Sequence, residues 1–292
     1  MKSIFFSSTL SKNQFKNVFF LNYKKQFISV AILLFWFSNA FTQEEEKLSG
    51  LFQNFDYQEV ENGLNSFEKI ATEKTKYKWR TNIERELVNN FFEQIIQFTK
   101  SVRSDENKSV STIYKYNLKL IKKQNGKIAL YKLYRLKNVK VNGKWTPTEI
   151  IVKEGSNKIM KELESEFLRV YSYPLNYNEL FETNIVYGDV CGRVRGIPEY
   201  RGKLEKLIKS KDSKNLVKWL KSTVTEIQLY AIDGILTLKK QGIDFNKDVL
   251  KLVDVISKKK GEVYTCNRCI YSNNLIVGII LDIKNKHNSQ KR

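Results

Sequence analysis

Three cysteines and one histidine are the residues of this sequence that could bind a metal ion or carry out redox chemistry. Cys266 and Cys269 are separated by two residues in "YTCNRCIY", whereas Cys191 and His287 lie elsewhere in the chain. The C-x-x-C spacing allows a zinc site, a redox-active dithiol or a structural disulfide. The elements around the cysteines and the compartment of the protein decide among these interpretations.

A closed zinc site needs four ligands, and the three cysteines with His287 would have to supply all of them. His287 lies in a polar C-terminal segment, which disfavours that ligand set. A thioredoxin-like dithiol requires C-x-x-C at the start of a helix, but this motif follows a predicted helix end and enters an Asn-rich segment. We therefore predict a disulfide, with no metal and no cofactor.

The disulfide that we predict joins Cys266 to Cys269. The alternative is a bridge from Cys191 to either of them. Chain entropy gives the short link about 2 kcal/mol and the long link about 4.5 kcal/mol. Both pairings require an oxidising compartment.

The N-terminal residues have the pattern of a secretory signal peptide. Lys24 and Lys25 precede an apolar run over residues 27–37, and small residues follow up to Ala40. The run is too short for a bilayer, which needs about 20 apolar residues. We expect cleavage after Ala40 or Thr42, and a periplasmic, outer-surface or extracellular protein without a transmembrane span; an uncleaved membrane anchor is the alternative.

The composition is strongly basic, with 51 Lys and Arg against 31 Asp and Glu. Residues 101–153 alone carry 13 basic and 3 acidic side chains. Such an excess is found in proteins that bind polyanions, but a solvated lysine-rich surface is the simpler interpretation. Lysine predominates over arginine, which disfavours nucleic acid as a partner because arginine is the better reader of phosphates and bases. We expect a protein or an anionic envelope component as partner.

The periodicity of the chain changes near residue 104. Apolar residues recur at three- and four-residue intervals from Ile83 to Val102, which predicts a helix within a helical segment 48–103. The following segment alternates, with Tyr114 and Leu118 on one face and Lys115 on the other, and contains two Asn-Gly turns. It predicts an antiparallel meander of three or four strands, with its lysine-rich face toward water and the preceding helix on its apolar face.

Helical patterns resume at Pro198, and Thr223 with Glu226 matches a capping box before the next helix. Within this part, "LVKWLKSTVTEIQLYAIDGILTL" resembles one HEAT repeat, with Ala231 and Gly234 as small residues on its second helix. The resemblance covers residues 216–238, implies stacked helices and a protein-binding scaffold, and carries over no catalytic residue.

These patterns predict an α+β protein with N-terminal helices, an antiparallel β-meander and a C-terminal all-α HEAT-like domain. The predicted divisions are an N-terminal extension with signal peptide at 1–42, a helix and sheet domain at 43–183, a Gly-rich connector at 184–197 and a helical domain with the C-x-x-C segment at 198–292. A partner-binding basic surface is predicted from the connector and the following helices, with the residues Lys214, Lys218, Lys221, Arg193, Arg195 and Arg201.

No residue pattern assigns an enzymatic activity. With His287 in a polar tail, a Ser-His-Asp arrangement would require that tail to fold inward. Glu162 and Glu166 share a helical face and could form a carboxylate pair, although a solvated face is the simpler interpretation. We expect an exported, non-catalytic binding protein. A carboxylate-dependent hydrolase acting on an envelope or extracellular substrate and a structural envelope component are the alternatives.

Overall fold

The computed structural model describes residues 43–104, 110–141, 143–194 and 196–289. Chain contacts divide the protein into two compact units, Met1–Leu51 and Phe52–Arg292. The described part of the first unit contains the helix α1 at residues 43–50. The predicted extension and signal peptide at 1–42 lie outside the described residues. All further elements belong to the second unit.

The centre of the second unit is an antiparallel sheet with the strand order β1-β2-β3-β4-β5. The strands span Thr75–Val88, Phe91–Arg103, Ser111–Lys123, Ile128–Val141 and Lys144–Ser156. Gly126 at φ +88° and Gly143 at φ +79° lie in the β3–β4 and β4–β5 turns, where the Asn-Gly pairs predicted hairpins. The meander predicted after residue 104 is confirmed as the three strands β3, β4 and β5, and β1 and β2 extend the same sheet to five strands.

The helix predicted from Ile83 to Val102 is wrong, because this segment forms the hairpin of β1 and β2. Asn89 and Asn90, both at positive φ, make the turn. Ile83 pairs with Ile95 across the hairpin. Both faces of the strands are buried near this turn, so apolar residues occur on both, and their spacing along the chain imitates a helical period.

One face of the sheet is covered by helix α2, Tyr57–Lys69. The ring of Phe67 lies 5.1 Å from that of Phe98 on β2, and Tyr116 and Leu118 on β3 are buried on this face. The alternation predicted for β3 is therefore correct, but α2 replaces the expected covering helix. The opposite face is covered only near the β1–β2 turn.

Six helices and one short turn follow the five-stranded sheet in the described part of the chain. They are α3 at Ile159–Tyr171, a 3-10 turn at Tyr177–Glu179, α4 at Glu199–Lys209, α5 at Ser213–Leu220, α6 at Thr225–Lys240, α7 at Lys247–Ser257 and α8 at Ile276–Ser289. Helix α6 is buried on most of its circumference. A Cβ at Gly234 would lie 2.7 Å from side-chain atoms of Leu204 and Leu216, so α4 and α5 approach α6 closely at this position. In the described part of the chain, no helix has the length and apolar character that crossing a bilayer requires.

The prediction of an all-α HEAT-like C-terminal domain is wrong. Strands β6, Glu262–Asn267, and β7, Ile270–Leu275, form an antiparallel hairpin that contains the C-x-x-C motif. The segment before α4 also pairs with β6, since the amide of Tyr187 donates to the carbonyl of Tyr264 at 2.8 Å. Helix α6 thus contacts strand β6 as well as helices, so it does not belong to a stack of helical repeats.

Candidate binding surface

The structure joins Cys191 to Cys266, with 5.6 Å between their Cα atoms, and leaves Cys269 exposed with a free thiol. The preferred pairing of Cys266 with Cys269 is therefore replaced by the longer alternative. The reason is the path of residues 187–191 along β6: the amide of Cys266 donates to the carbonyl of Tyr187 at 2.9 Å, which brings Cys191 beside Cys266. Cys269 occupies the β6–β7 turn instead.

His287 lies in helix α8 and is buried, so the C-terminal segment does fold inward. Its Nε2 lies 2.8 Å from Oδ1 of Asp233, and Arg201 donates from Nη1 to Oδ2 of the same carboxylate at 2.7 Å. Burial opposes ionisation of Asp233, but the hydrogen bond and charge of Arg201, the hydrogen bond with His287 and the charge of Lys286 lower its pKa overall. Nδ1 of His287 is buried and has no hydrogen-bond partner among the described residues.

This arrangement is a buried ion-pair cluster that fixes α4 and α8 against α6. Within the described ranges, no three His, Cys, Asp or Glu side chains are placed to hold a metal ion. The cluster explains the position of Arg201, which sequence reasoning had placed on a binding surface.

The predicted basic surface is only partly present. Lys214 and Lys218 are exposed on α5 and Lys221 is half-buried at its end. Arg193 is exposed in the loop before α4, but Arg201 is buried against Asp233. The structure does not describe Arg195. Arg201 is thus excluded from a surface contact, while a role for the α5 lysines stays a prediction.

The carboxylates Glu162 and Glu166 on α3 are each paired with a cation. Glu162 lies 2.8 Å from the Lys123 ammonium, and Glu166 lies 2.7 Å from the Arg169 guanidinium. Hydrogen bonds from Arg169 and then Asn89 lower the pKa of Glu166. A general acid needs the opposite shift, because it must remain protonated near neutral pH.

The outer part of the sheet face opposite α2 carries many charged side chains that no described helix covers. We call this outer part the open sheet face. It consists of Lys76, Lys78, Arg80, Gln97, Thr99, Ile113, Lys115, Asn117, Lys119, Lys132, Tyr134, Leu136, Lys140, Trp145, Glu149, Ile151 and Glu154. The strand register places these side chains on one face, because residues two apart on a strand and residues directly opposite on neighbouring strands point the same way.

The open sheet face has a cationic excess, with seven Lys or Arg side chains against two glutamates. Glu149 lies 2.7 Å from the Lys119 ammonium, and Glu154 lies 3.6 Å from that of Lys132. Both acids are therefore already paired. Among the described lysines of the open sheet face, those that form no ion pair lie toward the outer strand ends and are Lys76, Lys78, Lys115 and Lys140. Their charge is available to a ligand.

Apolar groups stand among these cations. Trp145 is 70% exposed, Ile113 56% and Ile151 52%. The Lys119 ammonium lies 4.8 Å from the centre of the Tyr134 ring, which holds both side chains against the sheet. The surface thus offers flat apolar contacts beside unpaired positive charge, a combination suited to an anionic chain with apolar faces.

The alternation of Lys115, Asn117 and Lys119 in the sequence already indicated a lysine-rich face on β3. The contribution of β1 was missed, since Lys78 and Arg80 were assigned to a helical segment. The exposed Trp145 carried no sequence signal that separates it from a core residue.

No protein-family model, no curated protein and no solved structure matches this chain.

Proposed function

We propose that this protein is exported and acts in the cell envelope as a non-catalytic binding protein for an anionic polysaccharide. The observation that supports this proposal best is the open sheet face, where exposed Trp145 on β5 lies opposite unpaired Lys140 and further unpaired lysines lie on β1 and β3. The ligand lies along this face. Lysines contact its carboxylates or sulfates, and the indole ring packs on the apolar side of a sugar ring.

The shape of the surface favours an extended polymer over a small molecule. Five strands at a spacing of about 4.8 Å make the face about 19 Å wide. Small-molecule sites are usually concave and enclose most of their ligand. A flat face cannot enclose a small ligand, but it can contact several repeating units of a chain.

The kind of cation favours an anionic polysaccharide over nucleic acid. Six of the seven cations on the open sheet face are lysines, and Arg80 is the seventh. The Arg80 guanidinium already donates to Gln97 at 3.3 Å. Lysine acts as a point charge without the planar geometry by which arginine recognises phosphates and bases. Carboxylates or sulfates spaced along a flexible glycan can form ion pairs with lysine without requiring that planar geometry.

Export is supported by the signal-like pattern of residues 24–40 and by the disulfide between Cys191 and Cys266. Disulfides persist mainly in oxidising compartments. We expect the protein recovered from its organism to begin at Phe41 or Gln43. N-terminal sequencing tests this part of the proposal, and a cytoplasmic protein that retains residues 1–23 would contradict it.

Binding is tested with the full chain and a fluorescently labelled hyaluronate oligosaccharide, followed by fluorescence anisotropy. The double variant Lys78→Glu with Lys115→Glu should weaken binding about tenfold or more, because it replaces unpaired attractive charges by repulsive ones. The matched control is Lys214→Glu with Lys218→Glu on α5, which changes the net charge by the same amount. This control should bind like the unmodified protein.

Three outcomes would contradict the proposal. Loss of binding in the α5 variant, with full binding in the sheet variant, would place the site on α5. Tighter binding of a labelled oligothymidylate than of hyaluronate would make nucleic acid the better ligand. Equal weakening of binding in both double variants would show attraction by net charge without a site.

A further inference from the structure

Two neighbouring loops expose apolar side chains, and one of these, Val194, is the most exposed large aliphatic side chain of the described residues. Val194 is 92% exposed and Ile197 59% in the loop before α4, and Ile270 is 69% and Tyr271 61% exposed at the start of β7. We call these four residues the apolar tip. From their position, we infer that the apolar tip inserts into the interfacial region of an anionic lipid bilayer and docks the protein on a membrane.

The two loops are held together by covalent and hydrogen bonds. Cys191 is bonded to Cys266, the amide of Gly192 donates to the carbonyl of Arg268 at 2.6 Å, and the amide of Arg268 donates to Val190 at 2.8 Å. The amide of Cys191 also donates to the carbonyl of Gly196 at 2.8 Å, which closes the first loop on itself. The apolar side chains are therefore presented by a braced structure, and little conformational entropy is lost when they are buried.

The charges around the apolar tip favour anionic lipid. Arg193 and Arg268 are exposed beside it. The sequence of the two loops, residues 190–198 and 267–272, contains no Asp or Glu. Of the acids nearby, Asp189 is paired with Arg201 and Glu199 with Lys203. Arginine and lysine near a membrane surface are attracted to anionic headgroups, and tyrosine is enriched at the membrane interface.

The form of the tip favours a bilayer over a protein groove. Energetically important residues of protein interfaces sit in well-packed central patches surrounded by other contacts. Val194 instead projects almost completely into solvent. A bilayer interface can close around such a projection without a preformed pocket. Burial of aliphatic side chains in the interface makes the free energy of membrane binding more favourable. This docking uses neither the open sheet face nor its ligand.

The experiment places a tryptophan at the tip of the full chain. Ile270→Trp and, as the matched control, Ile70→Trp are mixed with vesicles of three parts phosphatidylcholine to one part phosphatidylglycerol. Ile70 is 57% exposed on another part of the protein. Fluorescence of the protein without added tryptophan is subtracted. We expect a blue shift and quenching by brominated lipid for the tryptophan at 270 only, and neither effect with phosphatidylcholine alone.

A second substitution tests the loop before α4. Val194→Asp added to Ile270→Trp should raise the lipid concentration for half-maximal quenching about tenfold or more, because it places a charge in the interface. Leu168→Asp, at a site 54% exposed on α3, should leave it unchanged.

Absence of quenching at 270, or quenching that Val194→Asp and Leu168→Asp reduce equally, would overturn the inference. Vesicle binding that disappears at high salt and never shifts the emission at 270 would also overturn it, because it would reflect adsorption by net charge. Capture of an envelope protein by the tip without vesicle binding would make the tip a protein-docking surface. The vesicle experiment changes residues of the apolar tip, whereas the hyaluronate experiment changes residues of the open sheet face and of α5. Either proposal can therefore fail while the other holds.

Discussion

Nη1 of Arg85 lies 2.7 Å from Oε2 of Glu226 and thereby joins strand β1 to helix α6. The Nε of the same guanidinium lies 2.6 Å from Oε2 of Glu93 on β2. All three side chains are buried, and the backbone amides of Phe181 and Tyr264 donate to the two glutamates. Burial raises the pKa of Glu226, an effect that the Arg85 charge opposes. One arginine thus connects the sheet with the helical part of the unit.

Arg85→Met should destabilise the protein by about 3–5 kcal/mol, because it leaves two buried carboxylates without their counter-charge. Equilibrium unfolding in urea measures the effect. The urea concentration at half-unfolding should fall, while the slope of the unfolding free energy against urea concentration should stay unchanged. Arg80→Met, on the same strand but exposed, is the matched control and should change stability by less than about 0.5 kcal/mol. Equal effects of the two substitutions would show that the Arg85 contacts contribute little.

The disulfide predicts a definite thiol count. Alkylation of the unreduced, unfolded protein should modify one cysteine, Cys269, and alkylation after reduction should modify three. Cys191→Ser should cost about 2–5 kcal/mol in the free energy of unfolding, since it opens a loop of 75 residues, whereas Cys269→Ser should be nearly neutral. A tryptic peptide that links Cys266 to Cys269 would contradict the pairing.

Asp233 predicts a specific dependence of stability on pH. Its pKa is lowered from 3.8, so its contribution is complete above that value and is lost as the pH falls through the lower folded-state pKa. Asp233→Asn should therefore destabilise the protein at neutral pH, where Arg201 loses its buried partner, and the difference from the unmodified protein should shrink below about pH 4. Thermal unfolding at a series of pH values measures this difference.

Asp189→Asn is the control for this prediction. Asp189 contacts the same arginine, but its side chain is 67% exposed. Its substitution should change the unfolding midpoint much less than Asp233→Asn does. A difference for Asp233→Asn that stays constant from neutral to acidic pH would be inconsistent with the ionised Asp233–Arg201 pair.

The sequence predicted the second half of the sheet better than the first, and the buried ion pair explains the difference. On β3, tyrosines and leucines alternate with lysines, so the period of two is visible. On β1 and β2, the buried positions include Arg85 and Glu93, which are indistinguishable from surface residues in sequence. Since charged residues occupy core positions, the alternation was hidden and the apolar residues matched a helix.

The partner of that ion pair was hidden for a similar reason. Glu226 matched the third position of a capping box, but Val224 is the N-cap of α6 and Glu226 is buried against Arg85. The disulfide and the Asp233–His287 contact also depend on residues far apart in sequence. Local patterns could not specify these pairs, and the same limit applies to the apolar tip, whose two loops meet only in the folded protein.

The sheet and its buried arginine also constrain the order of folding. Each strand of the meander pairs with its neighbour in sequence, so the sheet can form from local contacts as the chain is made. Arg85, however, meets Glu226 only after 141 further residues have been added. Until then, α6 does not cover Arg85 and Glu93. Their charges make this end of the sheet unfavourable for contact with the apolar surface of another chain. We therefore expect Arg85 and Glu93 to oppose aggregation before α6 is made, in addition to the ion pair by which Arg85 holds α6 in the finished protein.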